Sequence, residues 1–205
     1  MAEVTVVDYG LGNIRAFLHI YNRLNIAASV ATTPEQVADA RRLILPGVGA
    51  FDWAMAQLAR SGMRAALDHA VLEMKRPVLG VCVGMQMMAS SSEEGNLAGL
   101  GWIDATVRRF DERTLAGKPL PHMGWNDVHT GSLVSLFKGM SAPRYYFLHS
   151  YYFAPNDPLD ARATADYGGE FAAAVGRGNI YGTQFHPEKS HRWGVELLRN
   201  FAECE

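Results

Sequence analysis

The sequence predicts an α/β protein, a three-layer sandwich with helices on both faces of a mixed, largely parallel central sheet. Three observations lead there. Short strand-like runs alternate with helical patterns through the first half of the chain. One run, residues 77–81, is apolar throughout, as a strand covered on both faces must be. The second half supplies further strand signals separated by hairpin-type breaks, which adds strands to the parallel core.

Residues 4–7 form a β-branched run that ends in the turn-like Asp8-Tyr9-Gly10-Leu11-Gly12. Ile14, Phe17, Leu18, Tyr21 and Leu24 follow at the spacing of one buried helical face. Residues 29–31 read as a second strand, and residues 34–40 as a short helix with Pro34 in its first turn. Residues 43–45 are a third strand, stopped by Pro46-Gly47, and two helical stretches cover 51–59 and 63–74. After the fourth strand at 77–81, strands are expected at 102–110, 145–153, 161–167, 172–175 and 180–184. Gly176-Arg177-Gly178-Asn179 is the turn between the last two. A terminal helix is expected from about residue 192 to 202, capped by Ser190.

No repeat, low-complexity tract or linker divides the chain, so residues 1–205 are expected to form one domain. A formal net charge of −2 gives no pull toward nucleic acid or an anionic membrane. No apolar stretch has the length of a membrane span, and the start of the chain does not read as a signal peptide. The two cysteines, Cys82 and Cys204, are too few for a disulfide framework. A reducing, cytoplasmic location is the simplest expectation.

Gly80-Val81-Cys82-Val83-Gly84 carries the most chemistry. It ends a buried strand and opens a helical run at residues 85–89, the strand–turn–helix arrangement of a nucleophile elbow. In such an elbow the nucleophile's backbone is strained and its neighbours must be small. The amide after the nucleophile, Val83 N–H, is a candidate oxyanion donor. A buried structural cysteine is the plainer reading, and the flanking glycines tip the balance to a nucleophile.

A nucleophilic cysteine needs a base and a group to orient it. Thr183-Gln184-Phe185-His186-Pro187-Glu188 follows an apolar strand, and its His and Glu stand two residues apart across a proline. Glu188 can then hold one imidazole nitrogen while the other faces Cys82. The remaining histidines are assigned elsewhere: His122, His129, His149 and His191 to polar loops, His19 and His69 to helices. No pair has zinc-like spacing, so no metal is expected. Leu45-Pro46-Gly47-Val48-Gly49-Ala50-Phe51 is a strand and glycine loop without the lysine of a phosphate loop. Gly47 and Val48 are candidates for the second oxyanion donor.

Cys82 within Gly-Val-Cys-Val-Gly-Met-Gln and His186/Glu188 within Thr-Gln-Phe-His-Pro-Glu-Lys-Ser resemble the two signatures of the class I, triad-type glutamine amidotransferases. Further segments resemble the glutaminase subunits of imidazole glycerol phosphate synthases: Asp8-Tyr9-Gly10-Leu11-Gly12-Asn13, residues 45–51, Pro121-His122-Met123-Gly124-Trp125-Asn126 and Phe147-Leu148-His149-Ser150-Tyr151. The likeness runs the length of the chain. One departure is Val83, where many relatives carry leucine; only its backbone is needed.

The resemblance implies a flavodoxin-like core and no cofactor. It implies L-glutamine as substrate, with Gly49, Gln86, Glu94, Ser150 and Tyr151 helping to hold it. It also implies a heterodimer with a (β/α)8-barrel cyclase subunit, which receives ammonia through a tunnel and makes imidazole glycerol phosphate and an aminoimidazole carboxamide ribotide in histidine biosynthesis. Met123 and Trp125 resemble residues at that interface. The plainer readings are a solvated helix end for Gln86 and Glu94 and core packing for Met123 and Trp125. Two rival functions remain beside it, the glutaminase of another amidotransferase and a non-catalytic regulatory subunit; a stand-alone cysteine hydrolase is a third.

Overall fold

The computed structural model describes residues 3–131 and 135–204. Its first half alternates strand and helix: β1 (Val4–Val7), α1 (Ile14–Arg23), β2 (Ala28–Ala31), α2 (Pro34–Ala38) and β3 (Leu43–Gly47). Helices α3 (Phe51–Ser61) and α4 (Arg64–Asp68) follow, the latter continued by a wider π-turn, His69–Glu73. Then come β4 (Val78–Cys82) and the one-turn helix α5 (Val83–Gln86). The second half is mostly strand: β5 (Ser91–Ser92), β6 (Ala105–Arg109), β7 (His122–Asp127), β8 (His129–Thr130), β9 (Arg144–His149) and β10 (Tyr151–Pro155). It closes with β11 (Ala161–Asp166), β12 (Glu170–Arg177), β13 (Ile180–Thr183) and helix α6 (His191–Glu203).

The main sheet has the order β2-β1-β3-β4-β13-β12-β11-β8. Strands from β2 to β13 pair parallel, and those from β13 to β8 antiparallel. Residues of β1, β3 and β4 are buried without exception, as strands covered on both faces require. The chain steps from β1 to β2 in one direction and from β2 past β1 to β3 in the other. Right-handed crossovers therefore put α1 and α2 on opposite faces. The packing agrees: α1 meets α6, while α4 meets both α2 and α3. Among the described residues, two smaller sheets, β10-β6-β5 and β7-β9, stand beside it.

Local chemistry explains the element ends. The α1 stripe buries Phe17, Ile20 and Tyr21. Thr33 caps α2 by accepting from the Gln36 amide at 3.4 Å, with Pro34 at the first turn.

Several sequence expectations need correction. The third strand does not stop at Pro46: Pro46 and Gly47 pair with Val81 and Cys82. Pairing between β1 and β3 ends at Ile44, so the missing Pro46 N–H interrupts no ladder on that side. The run at 145–153 is two strands in two different sheets, broken at Ser150. Residues 122–127, read as a loop because of Pro121 and Gly124, are a strand of alternating burial. His122, His129 and His149 accordingly sit on strands, with His122 and His149 buried. Helix α6 begins at His191, and the Ser190 hydroxyl does not cap it but bonds the His186 carbonyl at 2.6 Å.

Candidate active site

Cys82 ends β4 at φ +56°, ψ −115°, a backbone conformation that side-chain-bearing residues rarely adopt. The helix expected at 85–89 starts two residues earlier, directly after Cys82. Val83 thus occupies the first helical turn, where backbone N–H groups have no partner within the helix. The flanking glycines are needed for space. A Cβ on Gly84 would collide with the Leu45 carbonyl oxygen, and one on Gly80 would come within 2.6 Å of Met88 Cε.

His186 is held from both sides of its backbone. Its N–H donates to the Tyr146 carbonyl at 2.9 Å, and its own carbonyl accepts from Ser190 Oγ. The following Pro187–Lys189 turn brings Glu188 back, so that His186 Nδ1 meets Glu188 Oε1 at 2.9 Å. Both side chains are only 3% exposed. With Nδ1 committed to Glu188, Nε2 is the nitrogen left for Cys82. Burial disfavours the imidazolium, but the hydrogen bonds it donates to Cys82 and Glu188, together with their charges, outweigh it and raise His186 to about 10.

Cys82 and His186 open onto a cavity of about 330 Å³ at the carboxyl ends of β3, β4 and β13. That is where ligands bind in open α/β sheets. Val48 and Val83 line it beside Cys82 and His186, as do Gly49, Gln86, Glu94, Ser150 and Tyr151. The structure thus brings these residues together, whereas Gly47, the other oxyanion candidate, ends β3 beside Cys82 and does not line the cavity. Gln86 is 3% exposed and donates to the Tyr151 carbonyl at 3.0 Å and Gln184 Oε1 at 3.1 Å, which excludes a solvated helix end. Glu94 Oε2 accepts from the Phe51 N–H at 2.9 Å, so its carboxylate also caps α3. Gly49 takes φ +85°, and Tyr9 anchors the same loop by donating to the Pro46 carbonyl at 2.7 Å.

Five residues at the site escaped the sequence reading. Pro121, Leu148, His149 and Lys189 line the cavity, and Gln184 Nε2 stands 3.9 Å from Cys82 Sγ. Each lies inside one of the quoted motifs but was given no role there, because a motif does not say which of its side chains face the cavity. Cys204 is buried at the far end of the chain, with Sγ 3.3 Å from Ser135 Oγ. Among the described residues, no group of three or more His, Cys, Asp or Glu side chains is arranged to hold a metal ion.

Met123 and Trp125 lie outside the cavity on the outward face of β7, 64% and 41% exposed. Their register partners on β9 are Leu148 and Tyr146. Core packing is therefore excluded for the pair. Together with Leu148, which also lines the cavity, they form an apolar surface at its rim. No helix among the described residues is long and apolar enough to cross a membrane.

The class I glutamine amidotransferase family model matches residues 5–204. The imidazole glycerol phosphate synthase subunit HisH of Bdellovibrio bacteriovorus is 54% identical over 202 residues, covering 98% of this chain and 99% of the relative. The HisH subunit of Leptospira borgpetersenii is 47% identical over 201 residues, covering 97% and 98%. Among solved structures, PurLQS from Thermotoga maritima superposes with a TM-score of 0.73 at 19% identity, covering 98% of this chain and 97% of that one. The glutaminase domain of the Trypanosoma brucei CTPS, solved with bound acivicin, gives 0.67 at 14% identity, covering 100% and 95%; at such identities the likeness shows the fold alone. A family model spanning nearly all of the sequence, and relatives about half identical over their whole length, leave one assignment: the chain belongs to the class I glutamine amidotransferases, in the group of the HisH subunits.

Proposed function

We propose that this chain is the glutaminase subunit of an imidazole glycerol phosphate synthase, acting as one domain over residues 1–205 in a reducing cytoplasm. It hydrolyses L-glutamine to glutamate and passes ammonia to a (β/α)8-barrel cyclase subunit with which it forms a heterodimer. The observation that carries the reading is a cysteine on a strained elbow, facing an imidazole that Glu188 holds at 2.9 Å, in one cavity.

His186 holds the proton of the Cys82–His186 pair on Nε2, and the Cys82 sulfur attacks the side-chain amide carbon of glutamine as the thiolate. The carbonyl π pair moves onto oxygen, where the Val48 and Val83 amides receive it. His186 Nε2–H protonates the departing nitrogen as the C–N bond breaks, which matters because amide ion is a very poor leaving group. Ammonia leaves and a γ-glutamyl thioester remains. His186 then takes a proton from water as the oxygen attacks the thioester carbon; the C–S bond breaks with its electron pair returning to Cys82 sulfur, glutamate departs, and the proton stays with the Cys82–His186 pair. Glu188 keeps the imidazole in one tautomer and stabilises its cation. Gly49, Gln86, Glu94, Ser150 and Tyr151 hold the glutamine, and Met123 and Trp125 face the cyclase.

Glutamate release by the chain alone, and with the cyclase plus its nucleotide, tests the reading. Slow turnover alone and a large rise in the complex are expected. Full activity alone, unchanged by the partner, would point to a stand-alone hydrolase instead.

A further inference from the structure

Two buried histidines beside the cavity take no part in that chemistry. His122 on β7 and His149 on β9 are register partners, 3% and 6% exposed, and their rings meet with His122 Nδ1 2.9 Å from His149 Nε2. The His122 ring is sandwiched between Phe147, at 4.7 Å and 21°, and Tyr167, at 4.0 Å and 22°.

One arrangement of protons satisfies the contacts. His149 Nδ1 lies 2.8 Å from the Tyr151 carbonyl oxygen, which only accepts, so Nδ1 carries hydrogen. A neutral His149 then accepts at Nε2, and His122 must donate from Nδ1. His122 Nε2 is left as an acceptor, and Asn126 Nδ2 stands 3.3 Å from it. The Asn126 amide is oriented independently: Nδ2 donates to the Asp166 carbonyl at 2.9 Å, and Oδ1 accepts from the Asp127 N–H at 2.9 Å. An extra proton on His149 Nε2 would oppose the His122 N–H, and one on His122 Nε2 would oppose the Asn126 amide N–H. Burial, with Lys118 adding to it, holds His122 near 4; burial and then the neighbouring His122 hold His149 near 3.

The Tyr151 carbonyl connects this pair to the nucleophile. It also accepts from Gln86 Nε2 at 3.0 Å, and Gln86 Nε2 donates in turn to Gln184 Oε1. Gln184 Nε2 then faces Cys82 Sγ at 3.9 Å.

We propose that His122 and His149 are positioning residues for the substrate, a neutral pair of fixed tautomer that sets the Tyr151 carbonyl and, through it, the Gln86 and Gln184 amides beside Cys82. The proposal rests on the glutaminase reading and assigns the pair to holding glutamine, not to moving its protons.

The first test is a long-range ¹H–¹⁵N spectrum of the chain with ¹⁵N-labelled histidine near neutral pH. Hydrogen on Nδ1 and a bare Nε2 in both rings are expected. An Nε2–H on either ring, or a cationic ring, overturns the proposal. The second test is glutaminase kinetics of the complex with His122→Asn, His122→Leu and His149→Gln. Asn and Leu both lose the ring stack, but only Asn keeps a donor toward His149. His149→Gln keeps an acceptor for His122 and gives the Tyr151 carbonyl no donor. KM for glutamine should rise about tenfold in His122→Leu and His149→Gln, the scale of one lost hydrogen bond, and stay within about threefold in His122→Asn. In all three, kcat should move less than KM. Equal KM shifts for Asn and Leu, or an unmoved KM in His149→Gln, overturn the pair's role while leaving the glutaminase assignment intact. A wild-type complex that releases no glutamate overturns the assignment itself.

Discussion

Glu188 Oε1 and His186 Nδ1 meet at 2.9 Å although one proline is all that separates the two residues in sequence. The turn Pro187–Lys189 makes this possible by folding the carboxylate back beside the ring. Among the described residues the other oxygen, Oε2, is buried without a hydrogen-bond partner, so the imidazole is what the carboxylate serves.

That division of labour predicts unequal losses. Glu188→Gln should lower kcat of the complex less than His186→Ala, since the base survives and only its alignment and the stabilisation of its cation are lost. In the subtilisin triad the corresponding losses are roughly 10⁴-fold for the orienting carboxylate and about 10⁶-fold for the base. Both kcat values measured side by side decide the matter, and a Glu188→Gln loss equal to that of His186→Ala would reverse the assigned roles.

Cys82 should be needed for ammonia release and for nothing else. Cys82→Ala should abolish glutamine-dependent synthesis in the complex and leave synthesis from added ammonium salt within about twofold, a margin small against the roughly 10⁶-fold loss of a triad nucleophile. A glutamine-like electrophile should label Cys82, which opens on the cavity, and spare Cys204, buried near Ser135. Normal turnover in Cys82→Ala would remove the nucleophile assignment.

The raised His186 makes stability depend on pH in a definite direction. Burial lowers this group, but Cys82 and Glu188 outweigh it and set it at about 10, above the ordinary 6.5 of an unfolded chain. The folded protein therefore keeps a proton that the unfolded one releases. This contribution is complete below about pH 6.5 and is lost as pH rises toward 10. Denaturation midpoints between pH 6 and 10 should fall more steeply for the wild type than for His186→Gln. Matching slopes would show that His186 is not raised. In Cys82→Ala, the His186 ring followed by NMR should titrate lower, because one hydrogen bond and one charge are gone.

Trp125 tests the proposed interface against the core. At 41% exposure, stacked on His191 at 5.3 Å and 3°, it is a surface side chain. Trp125→Ala should change the stability of the isolated chain by no more than about 0.5 kcal/mol. Binding to the cyclase should weaken by about 2 kcal/mol or more, the cost typical of a central interface tryptophan. Titration calorimetry reads the second quantity, and unchanged affinity would move the interface elsewhere.

Much of the site is written locally. A glycine on each side of Cys82 announces a tight elbow, because only a residue without Cβ fits where Gly84 meets the Leu45 carbonyl oxygen. His-Pro-Glu states its own geometry for the same reason: a proline-opened turn leaves few ways to place two side chains. The all-apolar runs of β3 and β4 identify strands covered on both faces, so the parallel core is legible in the residues themselves.

Contacts between distant segments are not legible in that way. Residues 122–127 carry a proline before them and a glycine within them, and local signals read them as loop; pairing with Arg144–His149 makes them a strand. The same pairing turns His122 and His149 inward together and Met123, Trp125, Tyr146 and Leu148 outward. A strand's alternation has meaning only once a partner decides which face is covered. The sequence by itself determined the tight elbow at Cys82, the His-Pro-Glu turn and the parallel core, because each depends on neighbours a few residues away. The tertiary structure alone decided the buried histidine pair, the Gln86–Gln184 contact and the exposed apolar rim, because each depends on segments that meet only when the chain has folded.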